Sequence, residues 1–488
     1  MSTYTEKVYD TSMSIAQHTT QQTAIVIFGG TGNLAETKLF PALFHLYVQK
    51  LLPSAFVIIG LSRKTFTDEQ YCVYVRESLQ KNMPAQSEET LSAFCTHIHY
   101  ASGSFDDADT YVQIKDRLNR FDEAVGQCTS KLFYLAVPPN LYGTIFDKLK
   151  ESDAMALCDG VGSWSRLLVE KPFGTDTKTA EVLEAQLCAL FAEEQIYRID
   201  HYLAKDAIEN IMSLRFANSI LADSWNGTKI EDITIRLFES QDVSTRGSFY
   251  DKIGALRDVG QNHMLQMLAL LTMLQADVHS SQSVRARRLE ALTSLRMHDT
   301  DVRVRGQYAG YRETEGVNAL SDTETYFKIQ THIDSELWKD VQVTLESGKA
   351  LAETCTEAVV TFRAVDMCSC GAEETPHVHR NTLHITFSPE QSIKLTMWVK
   401  KPEFGFTLTP QSLVLMNDEG EEFRSPEAYE RVLYDCIVGD QTRFVSGAEV
   451  RASWNFITPI LDSFHTLPLH TYPKGGDVSN IGINNIAV

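Results

Sequence analysis

Ala24-Ile25-Val26-Ile27-Phe28-Gly29-Gly30-Thr31-Gly32-Asn33-Leu34-Ala35, continuing as ETKLFPALFHLYVQK over 36–50, is an apolar run that enters a glycine-rich turn and leaves as a helix. A dinucleotide-binding turn requires that order. Gly29 permits the tight turn, and Gly32 lets backbone amides approach a pyrophosphate at a helix N-terminus. The turn would use Gly29, Gly30, Thr31, Gly32, Asn33 and Leu34. Alone, such glycines also fit an ordinary strand-to-helix loop, so the surroundings must decide.

Downstream, the apolar runs FVIIGL (56–61), LFYLAV (132–137) and RLLVEK (166–171) alternate with helix-length segments, the pattern of a parallel, doubly wound sheet. After Asp200 the texture changes to longer alternating runs: ITIRLF (233–238), YFKIQTHI (326–333), VQVTLE (341–346) and TLHITF (382–387). Such alternation predicts an antiparallel sheet. The expected organisation is α/β followed by α+β. It comprises a polar tail over 1–22, a Rossmann-like dinucleotide-binding domain over 23–199, and a larger β+α domain over 200–488 on a mostly antiparallel sheet. The Gly/Asn-rich end, Lys474 to Val488, reads as poorly ordered.

The 488 residues are too many for one ordinary core, and a hydrophobic content of 43% with 22% charged residues is globular. With 44 Lys+Arg against 64 Asp+Glu, the formal net charge of −20 repels nucleic acid and anionic membrane surfaces. An anionic substrate must therefore meet a locally basic pocket. Nine scattered cysteines behind a polar N-terminus point to reduced thiols in the cytoplasm. The longest strongly apolar stretch, around Met264 to Leu274, falls short of the roughly 18 residues a membrane helix needs.

The second strand ends at Gly60-Leu61-Ser62-Arg63-Lys64, where an NAD-binding protein would carry an acid for the ribose 2′-hydroxyl. Two cations and a hydroxyl stand there instead. Arg63 would grip a 2′-phosphate through charge-assisted hydrogen bonds, which favours NADP. A solvated turn with incidental basic residues is the competing reading.

Arg198-Ile199-Asp200-His201-Tyr202-Leu203-Ala204-Lys205 packs an acid, an imidazole, a phenol and an ammonium into six positions. If the segment opens a helix, His201 and Lys205 share a face and both reach one phosphate. Farther on, Arg257-Asp258-Val259-Gly260-Gln261-Asn262-His263 leads into the apolar MLQMLALLTML. Taken alone, His263 reads equally as a cap or a core residue. With Asp200 against it, it would be a general base working near neutral pH. Val169-Glu170-Lys171-Pro172-Phe173-Gly174 is a strand end followed by a proline turn. A cis Lys-Pro bond there would fix the lysine's direction at the carboxyl edge of the sheet.

In order, GxxGxLA, EKPFG, RIDHYLxK, RFAN (215–218), RDVxQNH and SGKAL (347–351) resemble the glucose-6-phosphate dehydrogenase family over roughly residues 24 to 466. RIDHYLxK together with RDVxQNH is the most specific part. The resemblance implies oxidation of glucose 6-phosphate at C1 with hydride transfer to NADP, the first step of the oxidative pentose phosphate pathway. It implies that His263 takes the proton with Asp200 as partner, while Lys171 touches substrate and cofactor. His201, Tyr202 and Lys205 would hold the 6-phosphate. Glu239 and Asp258 would bind sugar hydroxyls, Lys349 would add a cation, and Tyr134 would line the nucleotide pocket. It further implies a homodimer or dimer of dimers formed through the second domain's sheet, and no metal.

Departures from the family pattern include Asn33 for an Asp, Ala204 for a Gly, Gly260 for a bulkier residue, and Thr354 where a second basic residue is usual. Cys355, Val359 and Thr396 stand where some members use cations for a second NADP, so one nucleotide per chain is expected. Cys368-Ser369-Cys370 with His377-Val378-His379 is a poor zinc pattern and reads as a hairpin insertion. The alternatives are another two-domain NADP-dependent sugar oxidoreductase, which would lack RIDHYLxK, and a catalytically silent sugar-phosphate or NADP sensor.

Overall fold

The structure is a computed structural model that describes residues 21–156, 162–365, 379–416 and 425–477. Most of the expected N-terminal tail and nearly all of the Cys/His segment lie outside these residues; of the latter only His379 is described. The chain forms two compact units.

The first unit runs up to Phe173 and adds Glu181–Ala204 and Pro426–Gly447. Its parallel strands are β1 (Thr23–Phe28), β2 (Phe56–Ser62), β3 (Ile98–Ser102), β4 (Ser130–Leu135), β5 (Ser165–Val169) and β6 (Ile196–Ile199). They lie in the order β3-β2-β1-β4-β5-β6, with Phe444–Val445 antiparallel at the β6 edge. This is the doubly wound dinucleotide-binding order, and it reverses at β1. Every residue of β1, β2 and β4 is buried, because both faces of the sheet are covered. Phe28 is in register with Leu61 on one side and Leu135 on the other, so Gly29, Ser62 and Ala136 follow side by side at the ends of their strands.

The helix after the glycine turn begins as a π-turn, Ala35–Leu39, and continues as an α-helix, Phe40–Val48. Pro41 cannot donate to the ladder and its ring crowds the preceding turn, which the wider π geometry accommodates. Pro426–Gly447 belongs to this unit for a packing reason. Val432, Leu433, Cys436 and Ile437, from the helix Ala428–Val438, share one apolar cluster with Phe40, Leu43 and Phe44. His45 Nδ1 also lies 2.7 Å from Glu430 Oε1.

The second unit comprises Gly174–Ala180, Lys205–Ser425 and Ala448 onward. The division thus falls after Ala204 rather than Ile199, and the chain passes between units more than once. Its large sheet is mostly antiparallel. Two pairs are parallel: Ile230–Phe238 with Gln342–Gly348, and Leu469–Tyr472 with Arg303–Tyr308. Tyr326–Ile333 alternates between buried and half-buried residues, as a sheet with one covered face should. A buried ion pair, Arg288 Nε to Glu449 Oε1 at 2.8 Å, joins two helices of this unit. The start of the Gly/Asn-rich end is held rather than loose, since the Gly475 N–H donates to Ala350 O and Gly476 bridges Leu351.

Among the described cysteines, Cys72, Cys95, Cys188, Cys355 and Cys436 are free, while Cys128 is disulfide-bonded, a departure from the expected thiols. Among the described residues no helix is long and apolar enough to cross a membrane.

Candidate active site

In the first unit a cavity of about 770 Å³ opens at the ends of β1 and β2, lined by Gly29, Thr31, Gly32, Ser62, Arg63 and Lys64 among others. The turn needs its first two glycines. Gly29 has φ +86°, and a Cβ there would lie 2.3 Å from Ala136 O. A Cβ at Gly30 would meet the Tyr71 hydroxyl at 2.6 Å and Gly60 Cα at 2.8 Å. Both amides donate to Leu61 O, at 2.9 and 3.0 Å, which ties the turn to β2. Arg63 and Lys64 are exposed, and they bring positive charge to the cavity mouth.

Five expected cofactor residues, Gly30, Asn33, Leu34, Tyr134 and Lys171, lie off the cavity wall. Gly30 is enclosed beneath it, and Asn33 and Leu34 belong to the turn into the helix. Tyr134 is fully buried and donates its hydroxyl to Glu170 Oε1 at 2.6 Å, so it braces a carboxylate instead of facing a nucleotide. The wall beyond β4 is made by Ala136 and Val137.

Glu170 is a residue that the sequence reading passed over. Its carboxylate also accepts from Tyr429 Oη at 3.2 Å, and Tyr142 Oη donates to its carbonyl at 3.0 Å. Burial pushes its pKa up, opposed by the two phenols and the neighbouring Lys171 charge, while Asp200 adds to the rise. The Lys171-Pro172 bond that follows is cis, as the proline turn suggested.

His201 to Ala204 form turns rather than the start of a helix; the helix begins at Asp206, with Lys205 at its N-cap. His201 and Lys205 therefore do not share a helical face. The cause is local. Asp200 Oδ1 accepts the Tyr202 N–H at 3.0 Å and Asp200 O accepts the Leu203 N–H at 2.9 Å, which closes the chain into a turn. Asp200 is 2% exposed. Arg198, the first residue of the motif, is structural: it is fully buried and bidentate on Glu184 at 2.9 and 2.7 Å.

In the second unit the structure brings three expected substrate residues together. Lys349 Nζ hydrogen-bonds Glu239 Oε2 and lies 3.6 Å from Asp258 Oδ2. Strand register explains the first pairing. Phe238 pairs with Gly348 in a parallel ladder, so the next residue of each strand emerges at the same edge. Asp258 and His263 are both on a π-helix, Leu256–Met264. Its i to i+5 bonding sets these two positions on one side of the segment, whereas an α-helix would turn them about 140° apart. His263 is 1% exposed, and its backbone N–H donates to Asn262 Oδ1 at 2.6 Å.

Gly260 has a packing explanation, because a Cβ there would lie 2.7 Å from Leu256 Cδ1 and 3.0 Å from Phe327 Cζ. The Phe327 ring takes the space that a larger side chain would need. Thr354 is fixed by Ser240, whose N–H donates to its hydroxyl at 2.9 Å. Glu324, another residue the sequence reading missed, accepts the Leu256 N–H at 3.1 Å at the π-helix entrance. Burial raises its carboxyl to about 6. Among the described residues no cluster of three or more His, Cys, Asp or Glu could hold a metal ion.

A parallel sheet in this order, with a glycine turn at its reversal point, places the chain among the dinucleotide-binding proteins. Residues 26–210 match the glucose-6-phosphate dehydrogenase NAD binding domain, and residues 212–480 match the glucose-6-phosphate dehydrogenase C-terminal domain. The chain therefore belongs to the glucose-6-phosphate dehydrogenase family. It is 35% identical over 457 residues to a glucose-6-phosphate 1-dehydrogenase of Chlamydia muridarum, covering 90% of each chain. With that of Treponema pallidum it shares 36% over 470 residues, covering 92% of this chain and 91% of the relative. A solved glucose-6-phosphate dehydrogenase in complex with glucose 6-phosphate superposes with a TM-score of 0.86 at 32% identity, covering 94% of this chain and 95% of that one.

Proposed function

We propose that this enzyme oxidises D-glucose 6-phosphate at C1 to 6-phosphoglucono-1,5-lactone, with NADP as the hydride acceptor. The reading rests on the meeting of Lys349 with Glu239 and Asp258, residues from three distant segments, of which Asp258 shares a π-helix with His263. NADP, when bound, takes the hydride from C1. The chain's own residues do the rest. His263 accepts the C1 hydroxyl proton as the C1–O double bond forms, and Asp200 orients the imidazole and stabilises its charged form. Glu239 and Asp258 accept hydrogen bonds from sugar hydroxyls, while Lys349 supplies positive charge between them. His201, Tyr202 and Lys205 hold the 6-phosphate, and Lys171 serves substrate and cofactor.

The nucleotide pocket fits NADP on its own terms. A glycine turn that no side chain would fit meets a cavity edge carrying Ser62, Arg63 and Lys64. The final strands of the second sheet expose Met397, Leu413 and Leu415 at 45%, 62% and 65%. An apolar edge of this kind suits a homodimer, alone or as a dimer of dimers. Cytoplasmic residence agrees with a 34% identical relative from Arabidopsis thaliana that is named as cytoplasmic.

The test is a panel of glucose, glucose 6-phosphate and other sugar phosphates, each with NADP and with NAD, read at the NADPH absorbance. Glucose 6-phosphate with NADP should give the highest kcat/KM. Equal turnover of glucose and glucose 6-phosphate would reject the phosphate assignments, and no turnover of either would leave the silent-sensor alternative.

A further inference from the structure

Two tyrosines lie side by side beneath the nucleotide cavity, each with its hydroxyl on a different one of the turns that border it. Tyr71 is fully buried and donates to Gly30 O at 2.7 Å, holding the glycine turn from below. Its ring lies so close over β2 that a Cβ at Gly60 would fall 2.0 Å from its oxygen. Tyr100, 2% exposed on β3, packs against it with ring centroids 4.5 Å apart. Its hydroxyl serves the other turn, Ser62-Arg63-Lys64.

The hydroxyl geometry there has one self-consistent direction. Tyr100 Oη lies 2.6 Å from Lys64 O, which can only accept, so the phenol proton goes to that carbonyl. Ser62 Oγ, 2.7 Å from Tyr100 Oη, must then donate to it. Thr31 Oγ1 donates to Ser62 Oγ at 2.9 Å, and the Lys64 N–H reaches the same oxygen at 3.2 Å. Tyr100 therefore links the side chain at the start of the turn to the backbone at its end. The exposed Arg63 lies between these two anchored residues.

We propose that Tyr100 is a positioning residue for cofactor choice, its phenol fixing the Ser62-Arg63-Lys64 turn in the shape that receives a 2′-phosphate. Tyr71 carries out the corresponding task for the pyrophosphate turn, which NAD and NADP share. The inference rests on the proposed reading of this cavity as an NADP site with Arg63 at the 2′-phosphate. Cofactor preference is then set partly by a buried phenol that touches no cofactor atom.

The test compares Tyr100→Phe, Tyr71→Phe and Arg63→Ala in the full chain. NADP and NAD affinities are measured separately by calorimetry, with circular dichroism as the check on folding. Both Phe variants keep the aromatic packing: Tyr71→Phe loses the hydrogen bond to Gly30 O, and Tyr100→Phe loses those to Lys64 O and from Ser62 Oγ. Tyr100→Phe should weaken NADP binding about threefold to tenfold while NAD changes less than about twofold. Tyr71→Phe should weaken both nucleotides in parallel. In the Tyr100→Phe/Arg63→Ala pair the two losses should be less than additive, because both act on one contact. An equal loss for both nucleotides in Tyr100→Phe, or no loss, overturns the positioning role. If Arg63→Ala leaves the NADP to NAD ratio unchanged, the 2′-phosphate reading itself fails, whatever Tyr100 does.

Discussion

The nucleotide turn and the Lys349 cluster assemble their chemistry by opposite routes. The turn is contiguous: Gly29 to Gly32 work through backbone amides, of which Gly29 and Gly30 donate to Leu61 O of the neighbouring strand and Gly32 to Gly29 O within the turn. The cluster joins Glu239, Asp258 and Lys349 from three segments, and it exists only because two strands pair in parallel with Phe238 opposite Gly348. A local device of this kind tolerates changes elsewhere in its unit, whereas a long-range one depends on register. The two should also fail differently, one through nucleotide affinity and the other through turnover and sugar binding.

The largest separation is expected at His263. A positioned base contributes about 10²–10⁴-fold, so His263→Asn should lower kcat by that factor with little change in either binding constant. Stopped-flow or steady-state absorbance decides it, and near-normal turnover removes His263 from its role. Next comes the nucleotide end. Arg63→Ala should weaken NADP about tenfold to a hundredfold, the loss of about 1.5–3 kcal/mol from a charge-assisted contact, while kcat at saturating NADP holds. Lys349→Met should raise KM for glucose 6-phosphate about tenfold and leave NADP affinity alone, because it leaves the Glu239 and Asp258 carboxylates without their shared cation. If Lys349→Met instead weakens NADP, the division of labour between the two regions is wrong.

The same contrast explains what could be read beforehand. The first sheet was legible because β1, β2 and β4 are buried on both faces and so appear as unbroken apolar runs. Tyr326–Ile333 was legible from its alternation. The segment after β6 is compatible in sequence with a helix opening, because an aspartate closing a turn on the Tyr202 amide resembles one capping a helix. The π-helix left no mark in the sequence, since its apolar residues fit either helical register. Phe444–Val445 has only two residues and no period, so its place beside β6 followed from no local signal. Tyr429 lies 259 residues from Glu170, a separation at which only a fold can pair them. Glu239, Asp258 and Lys349 were singled out through family resemblance alone, because nothing in their spacing points to a shared cluster.

Each unit holds a buried carboxylate, and the two differ in their hydrogen-bond partners. Glu170 has two phenols on one oxygen, whereas Glu324 has the single Leu256 amide on Oε1 and stands against Gly254, where a Cβ would come within 2.4 Å of it. Burial raises Glu324 from 4.5 to about 6. A carboxyl whose folded pKa is raised binds its proton more tightly in the folded state, so stability is lost as pH rises from about 4.5 through about 6. A shift of that size corresponds to about 2 kcal/mol. Glu324→Gln keeps an acceptor for the Leu256 N–H and removes the titration. The wild type should therefore gain about 1–2 kcal/mol relative to Glu324→Gln as pH is lowered from 8 to below 4.5, read by urea unfolding at each pH. Should the difference between the two proteins stay constant across that range, Glu324 does not titrate there, and burial at the π-helix entrance is offset by the hydrogen bond from Leu256.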